Sequence, residues 1–193
     1  VGMNTARFLF EKGAKIIAIA DINAIIYNPD GLDIEELRLY ALKNGTIKAF
    51  PGKEITNDEF FSLDADILVP AAISNVITKD NVDSIKAKGI VEAANMPIHY
   101  KAEKILAQKG IRIIPDIIAN AGGVIASGEE YSKSLSAKYT KKEETYAMIT
   151  KRIIENLNLA KQIAREHDVS LNLACYILAL RRIYKAQNIR GWV

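Results

Sequence analysis

Short apolar runs alternating with helix-patterned segments constrain the fold of this chain more than any other feature. Residues 3–12 set Ala6, Leu9 and Phe10 at helical spacing, and Gly13 closes that segment before the run Lys15-Ile16-Ile17-Ala18-Ile19-Ala20. Further runs stand at Asp66-Ile67-Leu68-Val69, Gly89-Ile90-Val91 and Ile111-Arg112-Ile113-Ile114, separated by turn residues and by helical segments such as Tyr100–Gln108, which Gly110 closes. Runs this short and this uniformly apolar read as strands buried on both faces. Buried strands that alternate with helices predict an α/β fold with a doubly wound, mostly parallel sheet.

Past Ala119 the strand signals stop. Tyr146, Ile149, Ile153, Leu157, Ala160 and Ala164 recur three or four residues apart between Lys141 and His167, the stripe of an amphipathic helix. A second helix runs from about Leu171 to Gln187, with Ser170 as N-cap and Leu173, Ile177, Leu180 and Tyr184 turned inward. The expected organisation is a single domain over residues 1–193 with a C-terminal helical extension from about 140 to 193. A length of 193 residues suits one substantial core. The formal net charge of +3 is spread among interleaved acids and bases, which leaves no electrostatic footprint for nucleic acid. No apolar run reaches the ~18 residues of a membrane span. A single cysteine, Cys175, excludes an internal disulfide and suits a reducing compartment, so the cytoplasm is the expected location.

Two constellations carry candidate chemistry. Gly2 opens a helix that feeds a strand, and Asp21 follows that strand 19 positions later. In a dinucleotide site the last glycine of G-x-G-x-x-G lets the helix approach the sheet, and an acid about 20 residues on accepts from the ribose hydroxyls. Gly2 and Asp21 fit those places, with the two earlier glycines upstream of Val1. Asp21 is equally readable as a turn residue. The second constellation is Pro70-Ala71-Ala72, Glu92-Ala93-Ala94-Asn95 and Pro115-Asp116-Ile117-Ile118-Ala119-Asn120-Ala121-Gly122-Gly123, each directly after a strand. Ligands of open parallel sheets bind outside the carboxyl ends of the strands, where Ala71 and Ala72 leave room for a flat ring and Asn95 and Asn120 can both donate and accept. Packing and turn formation are the alternative reading of the same residues. His99 and His167 are isolated, and His99, just ahead of a helix, suits packing or capping better than catalysis. No cluster has metal-ligand spacing.

These motifs, with Gly13-Ala14-Lys15 and Ile26-Tyr27-Asn28-Pro29-Asp30-Gly31-Leu32-Asp33, make nearly the whole chain resemble the C-terminal, Rossmann-like cofactor-binding domain of the glutamate dehydrogenases, within the Glu/Leu/Phe/Val dehydrogenase superfamily. The resemblance implies NAD(P)-dependent oxidative deamination of L-glutamate to 2-oxoglutarate and ammonia, with hydride passing between the substrate α-carbon and nicotinamide C4. It implies that Gly2, Asp21, Ala71, Ala72, Asn95 and Asn120 bind the cofactor and that Ser127 meets the distal substrate carboxylate. Asp21 tilts the preference toward NAD over NADP, because a carboxylate repels a 2′-phosphate. The family's catalytic Lys and Asp belong to an N-terminal substrate domain, so no catalytic residue is expected in this stretch, which alone would be inactive. The full-length protein would be a homohexamer. Ser74, Met96, Ile98-His99-Tyr100-Lys101 and Gly128-Glu129-Glu130-Tyr131 depart from the family's usual residues. They keep two alternatives in play: a dehydrogenase for leucine, phenylalanine or valine, and a non-catalytic nucleotide-binding or interaction module.

Overall fold

The computed structural model describes residues 1–137, 139 and 141–192. Among these, the chain forms two compact units: Val1–Ile90 with Met96–Arg112, and Val91–Asn95 with Ile113–Val193.

The first unit opens with α1 (Gly2–Glu11), followed by β1 (Ala18–Ala20) and β2 (Ile25–Tyr27). The strand expected at 15–20 is present as β1. Its neighbour, however, is antiparallel: the chain reverses at once, with Asp21 N–H donating to Ala24 O at 2.9 Å, and Ala18 comes to face Tyr27. A short strand β3 (Lys53–Glu54) pairs antiparallel with β2, giving the sheet order β1-β2-β3. Here the mostly parallel expectation gives way to a hairpin, because Asp21-Ile22-Asn23-Ala24 makes a tight turn that leaves no room for a crossover helix. Gly52 sits beside this sheet with φ +144°, where an added Cβ would come within 2.7 Å of Ile26 Cγ2.

Between β2 and β3 lies α2 (Ile34–Asn44). Its N-cap, Asp33, accepts from Glu36 N–H at 2.9 Å, Glu35 and Glu36 oppose the positive helix end, and Gly45 ends it in the left-handed region. Asn28 closes the preceding turn, its amide donating to Gly31 O and its side-chain oxygen accepting from Asp30 N–H. The Tyr27–Asp33 stretch, so distinctive in sequence, is therefore scaffolding: a turn plus a helix cap. Ile26, Leu32, Ile34, Leu37, Ile47 and Phe50 form the buried cluster beneath these elements, joined by Ala6 of α1.

The second sheet follows α3 (Asn57–Phe61), whose Thr56 and Glu59 form a capping box. Strands β4 (Ile67–Leu68) and β5 (Gly89–Val91) pair in parallel, Ile67 opposite Gly89 and Leu68 opposite Ile90, and β6 (Arg112–Ile114) is third in the order β4-β5-β6. A 3₁₀ turn at Val82–Ser84 and α4 (Tyr100–Gln108) complete this region, with Val82, Ile90, Ala102 and Leu106 almost fully buried. Lys109, which ends α4, donates all three ammonium protons to backbone carbonyls: Val82 O at 3.1 Å, Asp83 O at 2.8 Å and Ile85 O at 2.9 Å.

The second unit is helical: α5 (Asp116–Ala119), α6 (Gly122–Ser136), α7 (Lys142–His167) and α8 (Leu171–Ile189). Ile118, Ala160 and Cys175 form its buried cluster, with Ile153, Leu157, Leu171 and Leu178 packed around it. Ser170 caps α8 as expected, its Oγ accepting from Leu173 N–H. The inward set expected on α8 is corrected: Leu173, Leu180 and Tyr184 are exposed, while Ala174 and Cys175 are buried. Helix against helix, small side chains allow close approach, and Ala160 of α7 shares the buried cluster with Cys175 of α8, a place that size alone would have given to leucines. No described helix is long and apolar enough to cross a membrane.

Candidate functional site

Within the first unit, Gly2 is the first residue of α1 and stands beside the loop after β4, where a Cβ built on Gly2 would lie 3.5 Å from Ala71 Cβ. That is ordinary contact, so the approach of α1 to this loop would tolerate an alanine at position 2. Ala71 is half-buried and Ala72 exposed. The first turn of α1 carries no acidic side chain, so no carboxylate of its own opposes the positive end of the helix.

Asp21 occupies the β1–β2 turn and is consumed by its own chain. Oδ1 accepts from Asn23 N–H at 2.7 Å and Ala24 N–H at 2.8 Å; Oδ2 accepts from Thr46 Oγ1–H at 2.9 Å and Ile47 N–H at 2.8 Å. Four donors saturate the roughly four acceptor sites of a carboxylate. Partial burial alone would raise its pKa, but the bonds from Ile47, Asn23, Ala24 and Thr46 together hold it below its ordinary 3.8. The turn reading of Asp21 describes what this residue does here, and a ribose hydroxyl would have to displace one of those donors.

The second unit brings two of the expected residues together. Asn95 follows β5, Asn120 ends α5, and Asn120 Nδ2–H donates to Asn95 Oδ1 at 2.7 Å. Asn95 is exposed and Asn120 half-buried. The bond leaves the amide nitrogen of Asn95 and the carbonyl oxygen of Asn120 for a ligand. Flipping both amides would leave the same complement, one donor and one acceptor. A primary carboxamide is the matching partner, since it offers one acceptor and one donor on neighbouring atoms; the residues fit the nicotinamide end of a dinucleotide. Ser127 lies exposed on α6, in the stretch that continues into Gly128-Glu129-Glu130-Tyr131, where Glu129 pairs with Lys133 at 2.7 Å.

Sequence reasoning did not assign Glu92, although it lies in the quoted loop. It is 7 % exposed at the end of β5, and one of its oxygens accepts from Asp116 N–H at 2.9 Å. The signal was available: an acid directly after a buried apolar strand must be bonded if it is to stay charged. Met96 was noted only as a departure, and its φ of +46° shows why glycine suits that place.

His99 is the N-cap of α4, its Nδ1 accepting from Lys101 N–H at 3.3 Å, and His167 meets Arg181 Nη2 at 3.1 Å, so both serve structure. Burial, reinforced by the charge of Asp116, pushes the Cys175 thiol up to about 11, which leaves it inert as a nucleophile near neutral pH. No group of three His, Cys, Asp or Glu among the described residues could hold a metal. A shallow groove of about 440 Å³ lined by Lys86, Lys88, Lys109 and Arg112 is basic, yet Lys109 is spent on carbonyls and Lys88 on Asp66 at 2.7 Å.

An α/β chain with a carboxamide pair in the segments that follow β5 and β6 belongs to the class of folds that bind ligands beyond the carboxyl ends of their strands. Residues 1–191 match the family model of the Glutamate/Leucine/Phenylalanine/Valine dehydrogenases, and the chain belongs to that family. It is 41% identical to a glutamate dehydrogenase of Aeropyrum pernix over 198 residues, covering 100% of this chain and 47% of the relative. An NAD-specific glutamate dehydrogenase of Staphylococcus aureus is 38% identical, over 99% of this chain and 46% of the relative. A hetero-hexameric glutamate dehydrogenase from Thermus thermophilus, in a Leu-bound form, superposes with a TM-score of 0.91 at 28% identity, over 99% of this chain and 45% of that one. The chain thus spans somewhat under half the length of these relatives.

Proposed function

We propose that this chain is the C-terminal, Rossmann-like NAD(P)-binding part of a glutamate-type amino acid dehydrogenase, which oxidises L-glutamate to 2-oxoglutarate and ammonia. The observation that carries the reading is the 2.7 Å bond between Asn120 and Asn95, with its remaining donor and acceptor matched to a nicotinamide carboxamide. The S. aureus relative is named NAD-specific, which supports NAD over NADP for this protein.

In this reading Gly2, Ala71 and Ala72 line the pyrophosphate region, where small side chains let a phosphate reach backbone N–H groups. Asn95 and Asn120 orient the nicotinamide ring so that one face meets the substrate, and bound nicotinamide supplies the hydride acceptor. Ser127 contacts the distal carboxylate of the substrate. Asp21 acts at a distance, its negative charge opposing a 2′-phosphate while its oxygens stay with the turn. Proton transfer is assigned to the Lys and Asp of a substrate domain elsewhere in the protein, and this chain alone turns over no substrate. The T. thermophilus relative is titled hetero-hexameric, which supports a hexameric assembly here.

Steady-state assays of the full-length protein with glutamate, leucine and phenylalanine, each with NAD and NADP, test the proposal. Glutamate with NAD should give the highest kcat/KM, about 100-fold or more above leucine, since an unmatched carboxylate pocket discriminates strongly. A preference for leucine or phenylalanine would move the assignment to another amino acid. No turnover of any of the three would favour the nucleotide-binding module.

A further inference from the structure

Glu92 is a buried acid at the end of a strand, and its bonds tie together the two loops that carry the asparagines. Its backbone N–H donates to Ile114 O at 3.0 Å, and its carboxylate accepts from Asp116 N–H at 2.9 Å. These two bonds bracket Pro115, which is fully buried and has no N–H with which to fix its own corner. From Asp116 the chain makes a single helical turn, and Asn120 N–H donates back to Asp116 O at 3.0 Å. The side chain of Asn120 then reaches Asn95, three residues beyond Glu92. Three hydrogen bonds thus run from Glu92 through Asp116 and Asn120 to Asn95, and the chain from Glu92 to Asn95 closes the circuit.

We propose that Glu92 is a positioning residue that holds α5 at the height where the Asn120 carboxamide meets Asn95, and so sets the nicotinamide end of the site. It touches no ligand itself and acts through Asp116 and Asn120. A side chain with an acceptor oxygen suits the task because its bond takes up the backbone N–H of Asp116, one of the donors that the start of a one-turn helix leaves without an intrahelical partner. The functional side of this inference rests on the assignment of the asparagine pair to nicotinamide.

The test uses the full-length protein with Glu92→Gln, Glu92→Ala, Asn120→Ala and the Glu92→Ala/Asn120→Ala double substitution, titrated with NADH and with ADP-ribose, which lacks the nicotinamide. Glu92→Ala should weaken NADH about tenfold and ADP-ribose less than about twofold, in the range of outer residues that orient a binding group. Glu92→Gln, which keeps an acceptor oxygen, should restore most of the loss. In the Asn120→Ala background Glu92→Ala should add less than about twofold, because it acts through Asn120. A crystal structure of the Glu92→Ala protein should show the Asn120–Asn95 contact broken. Equal weakening of NADH and ADP-ribose, or full additivity with Asn120→Ala, would overturn the proposal, as would an intact contact in that crystal. If Asn120→Ala leaves NADH affinity unchanged, the nicotinamide assignment fails, and the crystal contact still decides whether Glu92 holds the pair.

Discussion

The turn at Asp21 and the asparagine pair at the ends of β5 and α5 both follow strands and both carry side chains suited to a dinucleotide, yet they differ in what remains to be used. Asp21 receives four internal bonds and has no acceptor capacity to spare. Asn95 and Asn120 spend one bond on each other and keep a donor and an acceptor. A polar residue at a strand end is thus a poor guide to ligand contact until its own chain's claims on it are counted. The Asp21 side chain is used up within the first unit, whereas the asparagine pair keeps bonding capacity, which is what the proposed nicotinamide contact draws on.

Removing each side separately should sharpen that contrast. Asn120→Ala in the full-length protein should lower kcat/KM for NAD about 100-fold in steady-state assays, the range for deleting one preorganised polar contact near a reacting centre. Its denaturation midpoint should stay close to that of the parent. Asp21→Ala should do the reverse, costing about 2 kcal/mol in urea denaturation, because the N–H groups of Asn23, Ala24 and Ile47 lose a charged acceptor. A large loss of NAD affinity with unchanged stability in Asp21→Ala would break the comparison outright.

Acid offers a gentler probe of the same carboxylate. Its folded pKa lies below its ordinary value, so its contribution to stability is full above about pH 4 and is lost as the pH falls through the lower folded value. Unfolding free energies measured from pH 6 downward should decline less steeply below pH 4 in Asp21→Asn than in the parent. The smallest expected effect is at Met96, an exposed residue held at φ +46° and next to Asn95 in the chain. Met96→Gly should stabilise by at most about 1 kcal/mol in the same denaturation assay, relief of the left-handed φ being partly offset by glycine's larger unfolded-state entropy, and NADH affinity should stay unchanged.

Much of the strand pattern was legible in sequence. The runs that became β1, β4 and β5 are continuous and apolar, that of β6 is broken only by Arg112, and the caps at Ser170, Gly13 and His99 follow local chemistry that needs no tertiary information. The hairpin β1–β2 was not legible, because Ile25-Ile26-Tyr27 becomes a strand only through pairing with residues on either side of it. The burial of Ala174 and Cys175 in place of Leu173 and Leu180 was hidden for a related reason: a helix with apolar residues on several faces does not announce which one its neighbour takes. In the site, the residue types of Asn95 and Asn120 pointed to amide chemistry, whereas their mutual bond and the bracing by Glu92 depend on distances that no spacing rule contains.

The ammonium of Lys109, lodged among three carbonyls, sets an asymmetric rule for what can replace it. Arginine carries the same charge, but its flat fork cannot aim three protons at three converging oxygens, so Lys109→Arg would strand backbone acceptors that a neutral isostere of lysine would strand as well. At this corner tetrahedral shape matters as much as sign, and amine-directed labelling should find it among the slowest lysines to react.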